Sequence, residues 1–322
     1  MTKAEPMQTN LFLHLKNQEI SLMKRKFIIG DEWLYFKIYC GPKTADKVLV
    51  NVIKPLTNVL LSKGIITKWF FIRYADPKHH LRIRFHLNNS ESIIVIINEM
   101  NRLIKPYVDQ LVVNRVLIDT YSRELERYGS SSIEISEDLF FFDSQMVINF
   151  IDIFKENESD DIRWLFAIRA IDELLVDFGF EDLRKLSLLE FLKEEFAKEF
   201  AMNKYLKVQL DKKYRNNISK ITNVFNSKHN DLEVNCIVDL LKNRSVKSKY
   251  IVQDLISREN LNTLERSLFE LLPSFIHMMI NRLFRSKQRQ NELVIYFFLF
   301  KYYSSKIAKI KRESQLKKMV DV

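Results

Sequence analysis

Glycine is scarce in this chain, five residues in 322, and proline is hardly commoner at six. That scarcity argues against glycine-rich loops that cradle phosphate. It also argues against an all-β fold turned by many tight corners. Cysteine is rarer still. Cys40 and Cys236 lie far apart and form no CxxC pair, so they read as reduced packing residues and exclude a disulfide framework. The six histidines show no HxxxH or HExxH spacing, so no metal site is expected. Long apolar runs are absent as well. The most apolar stretch, residues 293–300, falls short of the ~20 residues that a bilayer span needs. Residues 1–19 hold no continuous apolar segment and no small-residue cleavage site, so the expectation is a soluble, cytoplasmic protein without a secretory signal. No internal repeat or low-complexity segment occurs.

Large apolar side chains and positive charge are what the chain has in excess. Twenty-four Phe and twelve Tyr, with 47% hydrophobic residues, suffice for the core of one large domain. The net charge of +10 favours anionic partners: nucleic acid, a membrane surface or an acidic peptide. The lysines are spread along the whole chain, which weakens that signal.

Taken in order, residues 1–30 read as a polar lead-in, helical in part over residues 11–15, and the domain proper covers 31–322. The aromatic segment 33–40 predicts a strand closed by Gly41-Pro42. Thr44 or Asp46 is placed to cap the helix that follows, Pro55 to bend it, and Gly64 to stop it. Residues 65–87 predict a hairpin turned at Asp76-Pro77. Ser90 caps a helix expected to stop before Pro106. A strand follows from residue 112, then a charged segment closed by Gly129. Residues 133–136 read as a short extended piece. Helices are expected over 145–155, 160–178, 183–202, 207–226, 231–243, 247–257, 260–285 and 290–315. The fold class is α+β, an antiparallel or mixed sheet in the N-terminal half packed against a largely helical C-terminal half.

Four constellations carry chemistry. In the strand 81–87, Leu81, Ile83, Phe85 and Leu87 point one way and Arg82, Arg84 and His86 the other, because side chains alternate with period two. Two guanidiniums two residues apart over an apolar face suggest a fixed anion-binding surface, and a solvated cationic face is the plainer reading. Arg73 on the partner strand is expected to share that face. The second constellation is Arg123, Glu124, Glu126, Arg127 and Tyr128, whose mixed charges read first as solvated salt-bridge partners. The third is Glu134, Glu137, Asp143 and Ser144. Its carboxylates could serve as internal partners for arginines, and Ser144 lacks the surroundings of a nucleophile. The fourth is Ser274, His277 and Asn281 on one face of an apolar helix. A lone histidine there is commonly a hydrogen-bonded core residue, yet imidazole is the side chain best suited to move a proton near neutral pH.

These segments together resemble the C-terminal glutamate-elimination domain of class I lantibiotic dehydratases. That domain also occurs as a separate protein in thiopeptide-type bacteriocin pathways. The resemblance rests on residues 33–39; on 70–85 with Asp76-Pro77, Arg82 and Arg84; and on 119–129 with Glu124 and Arg127. It continues through 133–137 with Phe140 and Asp143-Ser144, and through 274–283 with His277. It implies a stand-alone elimination enzyme acting on Ser or Thr glutamyl esters of a ribosomal precursor peptide, to give dehydroalanine or dehydrobutyrine and glutamate. It further implies His277, Arg84, Arg127 and Glu124 as catalytic residues, Arg82, Arg73 and Tyr128 as substrate contacts, and no cofactor or metal. The implied partners are the glutamylated peptide and a separate tRNA-dependent glutamylating subunit, with a cyclase or transporter complex beyond them. No direct nucleic-acid contact is expected, and a homo-oligomer is compatible with the resemblance. Two alternatives stand beside it: a pyridine synthase of the same fold, which performs a formal [4+2] cycloaddition of two dehydroalanines, and a non-catalytic subunit that docks the precursor.

Overall fold

The structure is a computed structural model that describes residues 23–155, 160–226 and 232–320. The helical stretch expected at 11–15 lies outside the described residues. The chain opens with a short strand β1 (Lys26–Phe27) and the aromatic strand β2 (Trp33–Cys40), then runs through α1 (Pro42–Val48), a π-helical turn (Leu49–Ile53) and α2 (Lys54–Ser62). Next come β3 (Ile66–Tyr74), β4 (His80–Leu87), α3 (Ser92–Asp109), β5 (Val113–Asp119) and β6 (Tyr121–Ser122). The helical half comprises α4 (Leu125–Tyr128), α5 (Ile133–Phe154), α6 (Asp160–Asp177), α7 (Asp182–Glu199) and α8 (Lys204–Asn226), followed by α9 (Leu232–Asn260), α10 (Leu268–Leu283) and α11 (Gln288–Val320).

Four strands form an antiparallel sheet in the order β3-β4-β2-β5, and β1 pairs with β6 in a separate ribbon. The expected α+β class holds. In the sheet, Ile83 and Phe85 lie opposite Phe36 and Leu34 on β2 and Phe71 and Trp69 on β3. All six are buried. This apolar face meets α1 to α3, which bury Val48, Leu49, Val52, Leu56, Ile96 and Met100.

Helices α5 and α10 close the sheet along β3 with side chains that bond its backbone. Ser144 Oγ accepts from Phe71 N at 3.2 Å; Asn281 Oδ1 accepts from Arg73 N and Asn281 Nδ2 donates to Arg73 O, both at 2.9 Å. A sheet edge buried without such partners would leave donors and acceptors unpaired. Ser144 also accepts from Arg282 Nε at 3.2 Å and donates to Phe140 O at 2.7 Å, which gives it a packing role. One core runs through both halves, from Phe71 and Phe85 in the sheet to Phe150, Phe166, Phe275 and Phe298 in the helices.

Several local expectations hold. Gly64, at φ 65°, ends α2, with its N–H on Leu61 O and that of Ile65 on Leu60 O. Both cysteines are free, and burial pushes the Cys40 thiol up to about 11. Others are corrected. Residues 133–136 open α5 and are not extended. The two helices expected over 231–257 are one, α9. Helix α3 continues past Pro106 to Asp109, because a proline in the last turn deprives only one carbonyl of its partner. Its first turn is held by Asn89, whose Oδ1 accepts from Ser92 N at 3.0 Å, and not by Ser90. Gly41 is the N-cap of α1, and Asp46 sits buried inside that helix.

Candidate active site

The sheet places Arg82 and Arg84 on one face, as the alternation predicts. Arg84 is buried among three rings, its Cζ 4.7 Å from the centre of Tyr35, 5.1 Å from Phe70 and 4.6 Å from Tyr121. Burial pushes its guanidinium down, with the Glu124 carboxylate among the groups that oppose the shift. Its Nε has no hydrogen-bond partner. Arg82 lies over Tyr74 at 3.5 Å and donates from Nε to His80 Nε2 at 3.2 Å.

Arg73 does not join them. The register sets Arg73 opposite Leu81, on the apolar face, whereas Ile72 is opposite Arg82. The expected shared face is therefore wrong by one residue, because the turn fixes the pairing and a shift of one reverses every side chain. Arg73 is buried instead against Asp46, Nη2 to Oδ1 at 2.5 Å, and donates from Nε to Arg282 O at 2.8 Å.

The segment after β6 divides between core and surface. Arg123, expected in solvent, is buried in a two-pronged pair with Glu137 at 2.8 Å on each side, and Tyr121 donates to the same carboxylate at 2.7 Å. Glu137 thus fulfils the reading of an internal partner for an arginine, as Asp143 does for Arg244 at 3.1 Å. Glu124 and Arg127 stay at the surface, 3.5 Å apart. Tyr128 turns inward between Phe140 and Phe275, and burial pushes its hydroxyl well up. It packs below the surface that Arg127 faces.

Helix α10 carries His277. It begins with a capping box in which Ser267 accepts from Glu270 N while the Glu270 carboxylate reaches back to Ser267 N. His277 Nδ1 meets Glu292 Oε1 on α11 at 2.8 Å. Glu292 is fully buried. It also takes Tyr296 Oη at 3.2 Å and Arg289 Nη1 at 3.1 Å. Glu199 holds the other side of Arg289, with Nε at 3.0 Å. Burial works against the charge on Arg289, yet these two carboxylates hold its guanidinium above its ordinary value. With Nδ1 engaged by a carboxylate, the other imidazole nitrogen, Nε2, remains to accept or give a proton.

A cavity of about 440 Å³ opens at this point, with Arg127, Ser274, His277, Arg289, Glu195 and Glu292 among its lining residues. Of the residues singled out in the sequence, Arg127 and His277 therefore share a cavity, with Glu124 on Arg127. Arg84 and Arg82 stand on the sheet and do not line it. Arg282 lies between: fully buried, stacked on Phe140 at 4.8 Å, with Arg84, Asp143 and Tyr128 as electrostatic neighbours. Burial pushes it down to about 10. Sequence reading missed Glu292, Arg289 and Arg282. The available signal was charge on an apolar face, since Glu292 and Tyr296 sit four apart in the run that supplies Leu293, Phe297 and Phe298. Among the described residues no cluster of His, Cys, Asp or Glu could hold a metal, and no helix is long and apolar enough to cross a membrane.

An antiparallel sheet edged by helices carries a histidine–carboxylate pair and an arginine that line one cavity, groups that can exchange a proton and hold an anion. The chain belongs to the family described as lantibiotic biosynthesis dehydratase, C-terminal, whose model matches residues 33–303. It is similar to the nisin biosynthesis protein NisB of Lactococcus lactis subsp. lactis, 24% identical over 296 residues, covering 90% of this chain and 27% of that protein. It is similar also to the subtilin biosynthesis protein SpaB of Bacillus subtilis, 24% identical over 285 residues, 87% of this chain and 26% of that one. The chain thus spans about a quarter of the length of these relatives. Among solved structures, its fold matches the tRNA-dependent lantibiotic dehydratase MibB of Microbispora sp. 107891, with TM-score 0.64, 19% identity, and coverage of 84% of this chain and 28% of that one. It matches equally the pyridine synthase TbtD from thiomuracin biosynthesis, with TM-score 0.61, 12% identity, and coverage of 87% of this chain and all of that one.

Proposed function

We propose that this chain removes glutamate from glutamylated Ser or Thr of a precursor peptide, acting as the elimination subunit beside a separate glutamylating protein. The observation that carries the reading is the meeting of Arg127 and His277, some 150 residues apart in sequence, on one cavity with His277 held by Glu292. β-Elimination takes a proton from Cα, forms the Cα–Cβ double bond and breaks the Cβ–O ester bond, and glutamate leaves as a carboxylate. His277 Nε2 takes the proton, and Glu292 fixes the ring and balances the imidazolium that results. Arg127, steadied by Glu124, holds the departing carboxylate. Arg84, buried in the sheet with its Nε unpaired, contributes positive potential from behind the site, with Arg82 further along the same face. Arg73 is assigned to the scaffold, through Asp46.

The likeness to TbtD keeps a second reading alive, ring-forming cycloaddition on the same fold. Incubation with a synthetic glutamylated peptide and with a linear dehydrated peptide, followed by mass spectrometry, separates the two. Elimination predicts loss of glutamate from the first and no change in the second. Macrocycle formation from the second would decide for cycloaddition, and no change in either would leave a docking role.

A further inference from the structure

Arg127 rides on α4, a single turn of four residues closed by Gly129. A helix that short is marginal by itself, because it fixes several residues for very few hydrogen bonds. The backbone of Arg127 is therefore placed by what surrounds the turn. On the inner side, Tyr128 anchors it between Phe140 and Phe275. Glu124, the ion partner of Arg127, immediately precedes the same turn and cannot fix it from outside. The chain on either side of Arg127 is gripped by the link between α9 and α10, and we propose that Glu265 in this link is a positioning residue that sets Arg127 at the cavity. The proposal rests on the elimination reading for the task that Arg127 performs.

Beyond Arg127, the chain is held by the Glu265 carboxylate. Its Oε2 accepts from Ser130 N at 3.1 Å and its Oε1 from Ser131 N at 3.3 Å, and Oε1 also takes the Ser130 hydroxyl. Glu265 N donates to Ser131 Oγ at 3.4 Å, and Arg258 Nη1 donates to Ser131 O at 2.6 Å. Before Arg127, Arg266 Nη2 donates to the carbonyl of Glu126 at 3.0 Å. Two adjacent residues, Glu265 and Arg266, thus bond the chain on both sides of Arg127. Gly129 permits this approach. A Cβ there would stand 3.1 Å from Glu265 Cβ and 3.2 Å from Oε2, and its φ of 77° with ψ of 153° is a conformation that side-chain-bearing residues scarcely adopt. The link has a second end. Ser267, directly after Arg266, caps α10, and His277 lies on that helix. One link therefore joins the segment of Arg127 to the start of the helix of His277, and so governs the spacing of a cation and an imidazole that line the same cavity. Catalytic groups lose much of their effect when displaced by about 1 Å. Glu265 itself does not line the cavity, so its action runs through Arg127.

The test is a double-mutant cycle on the full chain with a synthetic glutamylated peptide. Glu265→Ala should lower kcat/KM for glutamate release by about tenfold, and Glu265→Gln by less, since one side-chain oxygen still accepts. In an Arg127→Gln background the same Glu265→Ala substitution should change kcat/KM by less than about twofold, because the group it positions is gone. Glu265 is exposed, and circular dichroism should show both of its variants folded. Equal loss in the two backgrounds, as a general loosening of the fold would give, overturns the proposal, and so does normal release by Glu265→Ala. Hydrogen exchange supplies a reading free of catalysis. Amides of 125–131 should exchange at least about tenfold faster in Glu265→Ala, with those around Asn281 unchanged. Unaltered exchange at 125–131 overturns the proposal as well. A wild-type protein that releases no glutamate strikes the elimination reading, and the exchange result still decides whether Glu265 holds the segment of Arg127.

Discussion

Asp46 is where the charge of this protein is most concentrated, with three guanidiniums on one buried carboxylate. Burial alone would raise its pKa, but Arg73, Arg163 and Arg285 outweigh burial and hold it below the ordinary carboxylate value. A carboxyl depressed in the folded state contributes stability above its unfolded value of about 3.9, and that contribution is lost as pH falls through the folded value. Asp46→Asn should therefore cost about 3–5 kcal/mol at neutral pH, since it strands buried cations. It should also flatten the decline of stability below about pH 4. Urea denaturation from pH 3 to 7 reads both effects. At the cavity, His277→Ala or Arg127→Gln should let glutamylated peptide accumulate, with the release rate down by about 10²–10⁴ for the histidine. Release at the normal rate would remove these residues from the mechanism. Glu292→Gln should lower kcat by at least about tenfold with KM unchanged, with partial recovery in Glu292→Asp, where a carboxylate still meets the imidazole. A merely structural role would lower stability and leave kcat of the folded protein in place.

Helix α10 is the element on which the site depends. It presents His277 to the cavity, Asn281 to the edge of β3, and Arg282 to the space under Phe140. Its start is set by the capping box at Ser267, so Ser267→Ala should cost about 1 kcal/mol. Hydrogen exchange should report that loss first in the amides of the helix's opening turn. Much of this was legible: the apolar face of α10, the hairpin with its turn at Asp76-Pro77, and the stop at Gly64 all follow from local pattern. The extended reading of residues 133–136 failed because Ile133 and Ile135 suit strand and helix alike, and burial of Ile133, Ser136, Glu137, Leu139 and Phe140 on one side selects the helix. The division of α9 at 244–246 failed because Arg244 there is buried and bonded to Asp143 and Asp177, with its carbonyl accepting from Ser248 Oγ, which holds the helix through the polar stretch.

Sheet and helices share one core, and no seam separates them. The protein should accordingly unfold as a single cooperative unit, with far- and near-ultraviolet circular dichroism giving one midpoint. Phe71→Ala, at the sheet side of that core, should lower stability by about 3–5 kcal/mol and leave the transition single. Two separated transitions would show that strands and helices form distinct units.

What the sequence determined by itself is whatever repeats at short range. Alternation along 81–87 commits Arg82 and Arg84 to one face, helical spacing commits Ser274 and His277 to another, and the scarcity of Gly and Cys excludes whole classes of site. The ordered motifs carried the family as well. Only the tertiary structure decided which residues meet. Arg73 went to Asp46 because the register of β3 against β4 is set by the turn and the packed face, and a period of two cannot fix it. Glu292 reached His277 because α11 folds back on α10 across a short turn, and Arg127 reached their common cavity because α4, far earlier in the sequence, packs on α10 where apolar faces exclude water. Charged groups caught between those faces must then find one another.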